Sequence, residues 1–239
     1  MKITLKQMIA VGIHLGHPKY QWYPKIRPYI YGVQDGAHLI DLVQTRKKIK
    51  EARQFATNIV RKGKSVFFVG TKSQAAPTIR EIACASQSVF VNERWLGGIL
   101  TNWSTIQTSL LRLHHFEREQ EEGAWKSMKK KKVAFFRKRL NRLNRYLEGL
   151  KGIRFLPSVI VVIGQTTERV AIQECCKLSI GKICRLDTDC NPNLAEIGIP
   201  MNDDSEGRIR LFLGIITPRI QTGRRLWFCK KQKKLNSKI

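Results

Sequence analysis

The chain has 239 residues, 42% of them hydrophobic, enough for one large domain with a real core. Its 44 Lys and Arg against 18 Asp and Glu give a formal net charge of +26, which destabilises a compact chain unless a polyanion neutralises it. No apolar run approaches the ~20 residues that span a bilayer, and basic helices that lie on membranes also carry a broad apolar face, so the charge points to nucleic acid and away from a membrane.

The charge is uneven. Residues 1–50 carry a net +7, residues 51–125 +2, residues 126–151 +10, residues 152–223 zero and residues 224–239 +7. This is the pattern of a folded core, 51–101 with 152–223, carrying three basic attachments: an N-terminal segment over 1–50, a stretch within 102–151, and a tail over 224–239. A single basic run is often no more than a solvated face; three in one chain are harder to read that way.

Taken from the start, Met1 to Lys6 has neither the apolar stretch of a signal peptide nor an Arg- and Ser-rich leader. The protein is expected to be made where it works, or to have lost a leader. Residues 18–29 interleave rings and cations in a Pro-stiffened stretch. There Lys19, Trp22, Lys25 and Arg27 suit base stacking and phosphate pairing, while Trp22 and Tyr29 would serve equally well as core anchors with the cations facing out. A helix is expected from about Gln44 to Arg61. Ser65 to Gly70, a short apolar run ending in Gly, reads as a buried strand. The helix after it, within Ser73–Ser86, should start late because Pro77 suits only a first turn. Ser88–Val91 is a second strand and Val159–Ile163 a third. Thr167 looks like the N-cap of a helix to about Ser179. Lys182–Leu186 and Glu196–Ile199 are further strands, and Asp203 or Asp204 should cap a last helix to about Ile220. Strands apolar on both faces and joined by helices indicate an α/β fold: a Rossmann-like parallel sheet with helices on both faces.

Between the blocks the period changes. Ile99, Trp103, Ile106, Leu110 and Leu113, then Val133, Phe136, Leu140, Leu143, Leu147 and Leu150, are spaced three and four apart. Gly123 stops the first series. Two heptad seams on a short linker predict an inserted antiparallel coiled-coil hairpin over 102–151. Lys129, Lys130, Lys131, Lys132, Arg137, Lys138, Arg139, Arg142 and Arg145 leave its second arm only a narrow apolar stripe. In the tail, Arg224 and Arg225 extend the basic set.

The same residues argue against catalysis. The turn Gly70-Thr71-Lys72-Ser73 is not a dinucleotide fingerprint or a P-loop, and Gln165-Thr166-Thr167 lacks the glycines that let a backbone approach a pyrophosphate. His14 and His17 have no adjacent ligands to complete a metal site. Asp187 and Asp189 read as turn residues, and Asp203 and Asp204 as caps, before any magnesium cluster. The six cysteines include no C-x-x-C pair and are expected to be buried free thiols. No cofactor and no metal are expected. A nucleotide-dependent enzyme on the same core and a free RNA chaperone are the competing readings.

Several segments resemble the small-subunit ribosomal protein S2 family in its bacterial and organellar form. They are Gly12 to His17, Trp22 to Lys25 with Pro28 to Ile30, Gly36 to Leu42, Gly70 to Ala75, the tryptophan-led Trp95-Leu96-Gly97-Gly98-Ile99-Leu100-Thr101-Asn102, and Asp187-Thr188 and Asn191-Pro192 with Ile199 to Asp204. The resemblance implies a Rossmann-like domain with a coiled-coil hairpin, acting as a non-enzymatic constituent of the small subunit. Its implied partners are small-subunit rRNA and neighbouring ribosomal proteins, with no homo-oligomer. The continuation Asn102 to Thr105 resembles plastid members, so a plastid location is expected, with a bacterial cytoplasm or a mitochondrion as the other compartments open to the family.

Overall fold

The computed structural model describes residues 3–153, 155–202 and 205–236. Its centre is a five-stranded parallel sheet in the order β5-β4-β6-β7-β8. The strands are β4 (Val66–Val69), β5 (Val89–Val91), β6 (Val159–Val162), β7 (Gly181–Leu186) and β8 (Ile197–Pro200). Val66–Val69 and Val159–Val162 are buried at every position, because each alternate side chain enters a different apolar layer. Phe67, Val69, Ile160 and Val162 face one layer with α6 (Arg169–Lys177). Val66, Phe68, Val159 and Val161 face the other with α2 (Leu42–Arg61), α3 (Ala76–Ala85) and α7 (Glu206–Asn236). The expected α/β sheet covered on both faces is therefore present.

Local chemistry sets several boundaries. Pro77 lies in the first turn of α3, as its fixed φ and missing N–H require. Asp41 caps α2, its Oδ1 accepting from Val43 N at 2.8 Å and Gln44 N at 3.3 Å, so the helix starts two residues before the expected Gln44. Thr167 is not the N-cap of α6. A further turn, closed by Glu168 N–H donating to the Gly164 carbonyl at 3.0 Å, delays the helix and puts Glu168 in the cap position. The last helix does not stop near Ile220 but continues to Asn236, so most of the basic tail is helical. The capping role predicted for Asp203 or Asp204 falls outside the described residues.

Two further elements flank the sheet. Before it, α1 (Leu5–Ala10), with a capping box between Thr4 and Gln7, leads into a small antiparallel sheet that sequence patterning did not predict. It has the order β1-β3-β2, from β1 (Leu15–Pro18), β2 (Ile30–Gln34) and β3 (Ala37–Ile40). Between β5 and β6, α4 (Trp103–Glu121) and α5 (Lys130–Leu147) form the antiparallel hairpin. Ile106, Leu110, Leu113, Leu140 and Leu147 are buried in its seam, with Val133, Phe136 and Leu143 packed beside them. Gly123, at φ +73, follows the C-cap of α4 and turns the chain. The expected first and last seam positions, Ile99 and Leu150, lie outside both helices and are fully buried in the layer under the sheet. The seam therefore continues into the domain core as one apolar cluster.

Candidate nucleic-acid interface

All eight cations of α5, Lys130, Lys131, Lys132, Arg137, Lys138, Arg139, Arg142 and Arg145, are exposed, as is Lys129 at its N-cap. The helix contains no acid. Spacing explains the display: Val133, Phe136, Leu140, Leu143 and Leu147 occupy one stripe, and cations take most of the remaining positions, with Ala134, Phe135, Asn141, Asn144 and Tyr146 among them. Two of the cations lie over rings of the seam, Lys132 at 5.6 Å from the Phe136 centroid and Arg139 at 5.7 Å from that of Phe116, so their stems pack while their heads stay wet. Arg145 alone of the eight is ion-paired among the described residues, with Glu93 at 2.8 Å.

A charged arm is useful only if it is held in place. The tip is closed by Trp125, buried between the arms at 5.9 Å from Phe136, with its indole N–H donating to Glu119 at 3.2 Å. At the root, Gly149 passes so close to β5 that a Cβ would lie 2.2 Å from the Phe90 carbonyl oxygen. Arg80 and Lys151 pair with Glu148 and Glu117 across the same region.

The loop that enters α4 is held by one buried side chain. Glu174 of α6 accepts from Trp95 Nε1 at 2.9 Å and Gly98 N at 2.7 Å through one oxygen. Through the other it accepts from Leu100 N at 2.9 Å, Thr101 N at 3.1 Å and Thr101 Oγ1 at 3.2 Å. Burial pushes this carboxyl up, but the hydrogen bonds outweigh it and hold it below its ordinary value. The tryptophan-led glycine motif thus wraps a carboxylate, and sequence reasoning, which singled out the motif, missed its partner 73–79 residues away.

The N-terminal candidates separate. Lys19, Lys25 and Arg27 are exposed. Trp22 is half-buried, packed on the core layer and tilted against His38 at 5.2 Å between centroids; Tyr29 packs on the same layer. In the tail, Arg225 is exposed, but Arg224 turns inward and donates to the Gln87 carbonyl at 2.6 Å, where burial lowers its pKa. The structure therefore brings Lys129 to Arg142 together on one helix and leaves Lys19, Lys25 and Arg27 on the small-sheet side of the domain.

The switch point of the sheet, between the turns after β4 and β6, holds a protein carboxylate. Glu168 accepts from Thr71 N at 2.6 Å, so a backbone donor of the turn after β4 is taken by a protein carboxylate. Burial raises its pKa against the opposing hydrogen bond. His17 Nδ1 lies 3.1 Å from Asp187 Oδ1, and Thr188 Oγ1 is 2.9 Å from the His17 amide nitrogen that donates to it, so the second histidine of the His14–His17 pair joins the small sheet to the turn after β7. No group of three or more possible metal ligands is found among the described residues. Three cysteines, Cys84, Cys176 and Cys229, are exposed, contrary to the expectation of buried thiols. Cys175, Cys184 and Cys190 are buried, and burial pushes the first two up to about 12.

A parallel α/β domain carrying a cationic helical hairpin is the class of architecture these elements define. The family model for ribosomal protein S2 matches residues 8–223, and the chain belongs to that family. It is 46% identical to small ribosomal subunit protein uS2c of Chlorella vulgaris, over 93% of this chain and 83% of that one. With uS2c of Oltmannsiellopsis viridis it shares 42% identity over 98% of both chains. With uS2 of the cyanobacterium Trichormus variabilis it shares 44%, over 93% of this chain and 84% of the relative. The chain is thus a structural constituent of the small ribosomal subunit, and its likeness to the uS2c proteins assigns it to the plastid.

Proposed function

We propose that the chain binds small-subunit rRNA mainly by neutralising phosphates, with α5 as the principal contact and the cations Lys19, Lys25, Arg27 and Arg225 as further ones. The observation that carries this reading is the arm itself: eight exposed cations on 18 residues, with no acid among them. Lys129 and the row from Lys130 to Arg142 would track a phosphate backbone. Trp22 contributes as a half-buried support for the cations beside it, and Arg224 as a brace for the last helix. Neighbouring ribosomal proteins would dock on the less charged surfaces, and the chain acts as a single copy.

We further infer that it has no catalytic role. The Glu168 carboxylate at the switch point supports this, because it repels the phosphate that a nucleotide enzyme would hold there. No helix among the described residues is long and apolar enough to cross a membrane.

The test is rebinding to small subunits depleted of this protein, titrated against salt. The expected result is a log–log slope of roughly −0.7 to −0.9 per phosphate contact; salt-insensitive rebinding would refute the electrostatic account. Sedimentation separates this reading from a free RNA chaperone, which stays in light fractions instead of travelling with the subunit. Saturable nucleotide binding abolished by Lys72→Ala would restore the enzyme reading.

A further inference from the structure

A second concave feature lies one strand over from the closed switch point. It is a cleft of about 750 Å3 between α6 and the turn after β7, at the carboxyl ends of β6 and β7. Its volume falls within the ~300–1,000 Å3 of small-ligand sites, and like the sites of open α/β sheets it lies outside the carboxyl ends of the strands, although beside the switch point and not at it.

The lining has three kinds of group. Tyr23 supplies a ring, and its backbone is pinned by its N–H donating to the Thr188 carbonyl at 2.8 Å. Arg169 and Lys177, both exposed on α6, supply positive charge, and neither is paired with a carboxylate among the described residues. Gln173 and Asp189 supply hydrogen-bonding edges, Asp189 as the one carboxylate of the cleft. The wall behind them is rigid. Gln165 is buried and clasps Asn191 twice, accepting from its N–H at 2.6 Å and donating to its carbonyl at 2.9 Å.

A ring, two cations and a few polar edges are what one nucleotide needs: a face to stack on, charges for its phosphate, and partners for the base edge. An acidic acceptor suits an exocyclic amino group. The cleft also runs into the basic N-terminal segment, since Tyr23 opens the 3-10 turn Pro24–Tyr29 that displays Lys25 and Arg27. A free nucleoside di- or triphosphate fits less well, because the turn after β6 offers Gln165, Thr166 and Thr167 where close approach to a pyrophosphate needs glycine.

We infer that this cleft receives one unpaired nucleotide of the small-subunit rRNA, stacked on Tyr23 with its phosphate held by Arg169 and Lys177. The inference rests on the rRNA-binding reading above and adds to it a site away from the hairpin.

The experiment rebinds the full-length chain to small subunits depleted of it, with chemical probing of every rRNA base. Wild type should protect one unpaired nucleotide that Tyr23→Ala and the double variant Arg169→Ala/Lys177→Ala both leave reactive, while protections at the hairpin persist. Stacking on one ring corresponds to a loss of roughly 5- to 150-fold in affinity for Tyr23→Ala, and Tyr23→Phe should bind like wild type. The double variant changes only exposed side chains, so it decides the matter if Tyr23→Ala unfolds. Unchanged protection and affinity in the double variant, with wild type binding normally, overturn the cleft while leaving rRNA binding by the hairpin intact. Failure of wild type to rebind at all overturns both. Titration with AMP distinguishes the source of the nucleotide: saturable micromolar binding to the free protein would mark a small-molecule site and overturn the rRNA assignment.

Discussion

The two arms of the hairpin share a seam and differ in almost everything else. α4 holds two arginines against three glutamates; α5 holds eight cations and no acid. On α4 the histidines turn to those glutamates, His114 to Glu117 at 3.6 Å and His115 to Glu119 at 3.3 Å, so its polar face is largely satisfied within the helix. On α5 the cations have few partners in the protein. The seam makes both arms stable, and only the outer surface of one arm carries dense positive charge without an acid, the surface proposed above for rRNA.

The largest expected effect tests the seam that the arms share. Leu140→Ala removes a buried seam leucine and should cost about 2–5 kcal/mol, whereas Leu111→Ala, 70% exposed on the outside of α4, should stay within about 0.5 kcal/mol of wild type. Chemical denaturation of both proteins measures the contrast; equal losses would mean that the arms do not pack as described.

Charge reversal tests the difference between the arms. Lys130→Glu, Lys131→Glu and Arg137→Glu together should weaken rebinding to the depleted subunit by on the order of a hundredfold and reduce the salt slope by roughly 2 to 3 units. Arg112→Glu with Arg118→Glu on α4 should change affinity less than about tenfold and leave the slope nearly intact. Equal sensitivity of the two arms would remove α5 from its proposed role.

Glu174 tests whether the hairpin must be anchored to be useful. Glu174→Gln puts an amide N–H2 against backbone donors, with a loss of about 1.5–3 kcal/mol for hydrogen bonds to a charged group. Hydrogen exchange should speed up first at residues 95–101, then along α4. Rapid exchange confined to α6 would argue against the anchoring role.

The smallest effect is one of pH. Glu174 has a lowered carboxyl pKa, so its stabilisation is present above the ordinary value of ~4.3 and is lost as the pH falls through the folded value. Glu168 has a raised one, so the stability favouring its protonated form is present in acid and lost as the pH rises through the folded value. Melting temperatures between about pH 3.5 and 7 should therefore bring Glu174→Gln closer to wild type in acid. Glu168→Gln should exceed wild type most at neutral pH. The same pH trend in both variants would contradict this pairing.

Much of this was legible in the chain. The four-residue apolar runs that become β4 and β6, and the three-four spacing of the hairpin, are signals that burial writes directly into sequence. The α5 cations were equally plain, because a narrow apolar stripe on a helix leaves the remaining positions outward. What patterning did not reach depends on contacts far apart in the chain. The small β1-β3-β2 sheet is irregular, with register shifts and few alternating residues, so its period is weak. Trp125 closes the hairpin tip from a linker that has no period at all. Trp22 is interleaved with cations in sequence, yet packing decides that half of it belongs to the core.

The amino-acid sequence by itself determined the α/β class, the coiled-coil insertion, the family and the placement of charge on the second arm, because each follows from local periodicity, composition or motif. Only the tertiary structure decided how those pieces are joined. Glu174 fastens the hairpin loop, Glu168 fills the switch-point crevice, and Arg224 turns inward while Tyr23 lines a cleft beside α6. These are non-local encounters of polar groups, and no spacing along the chain encodes which donor a buried carboxylate will find.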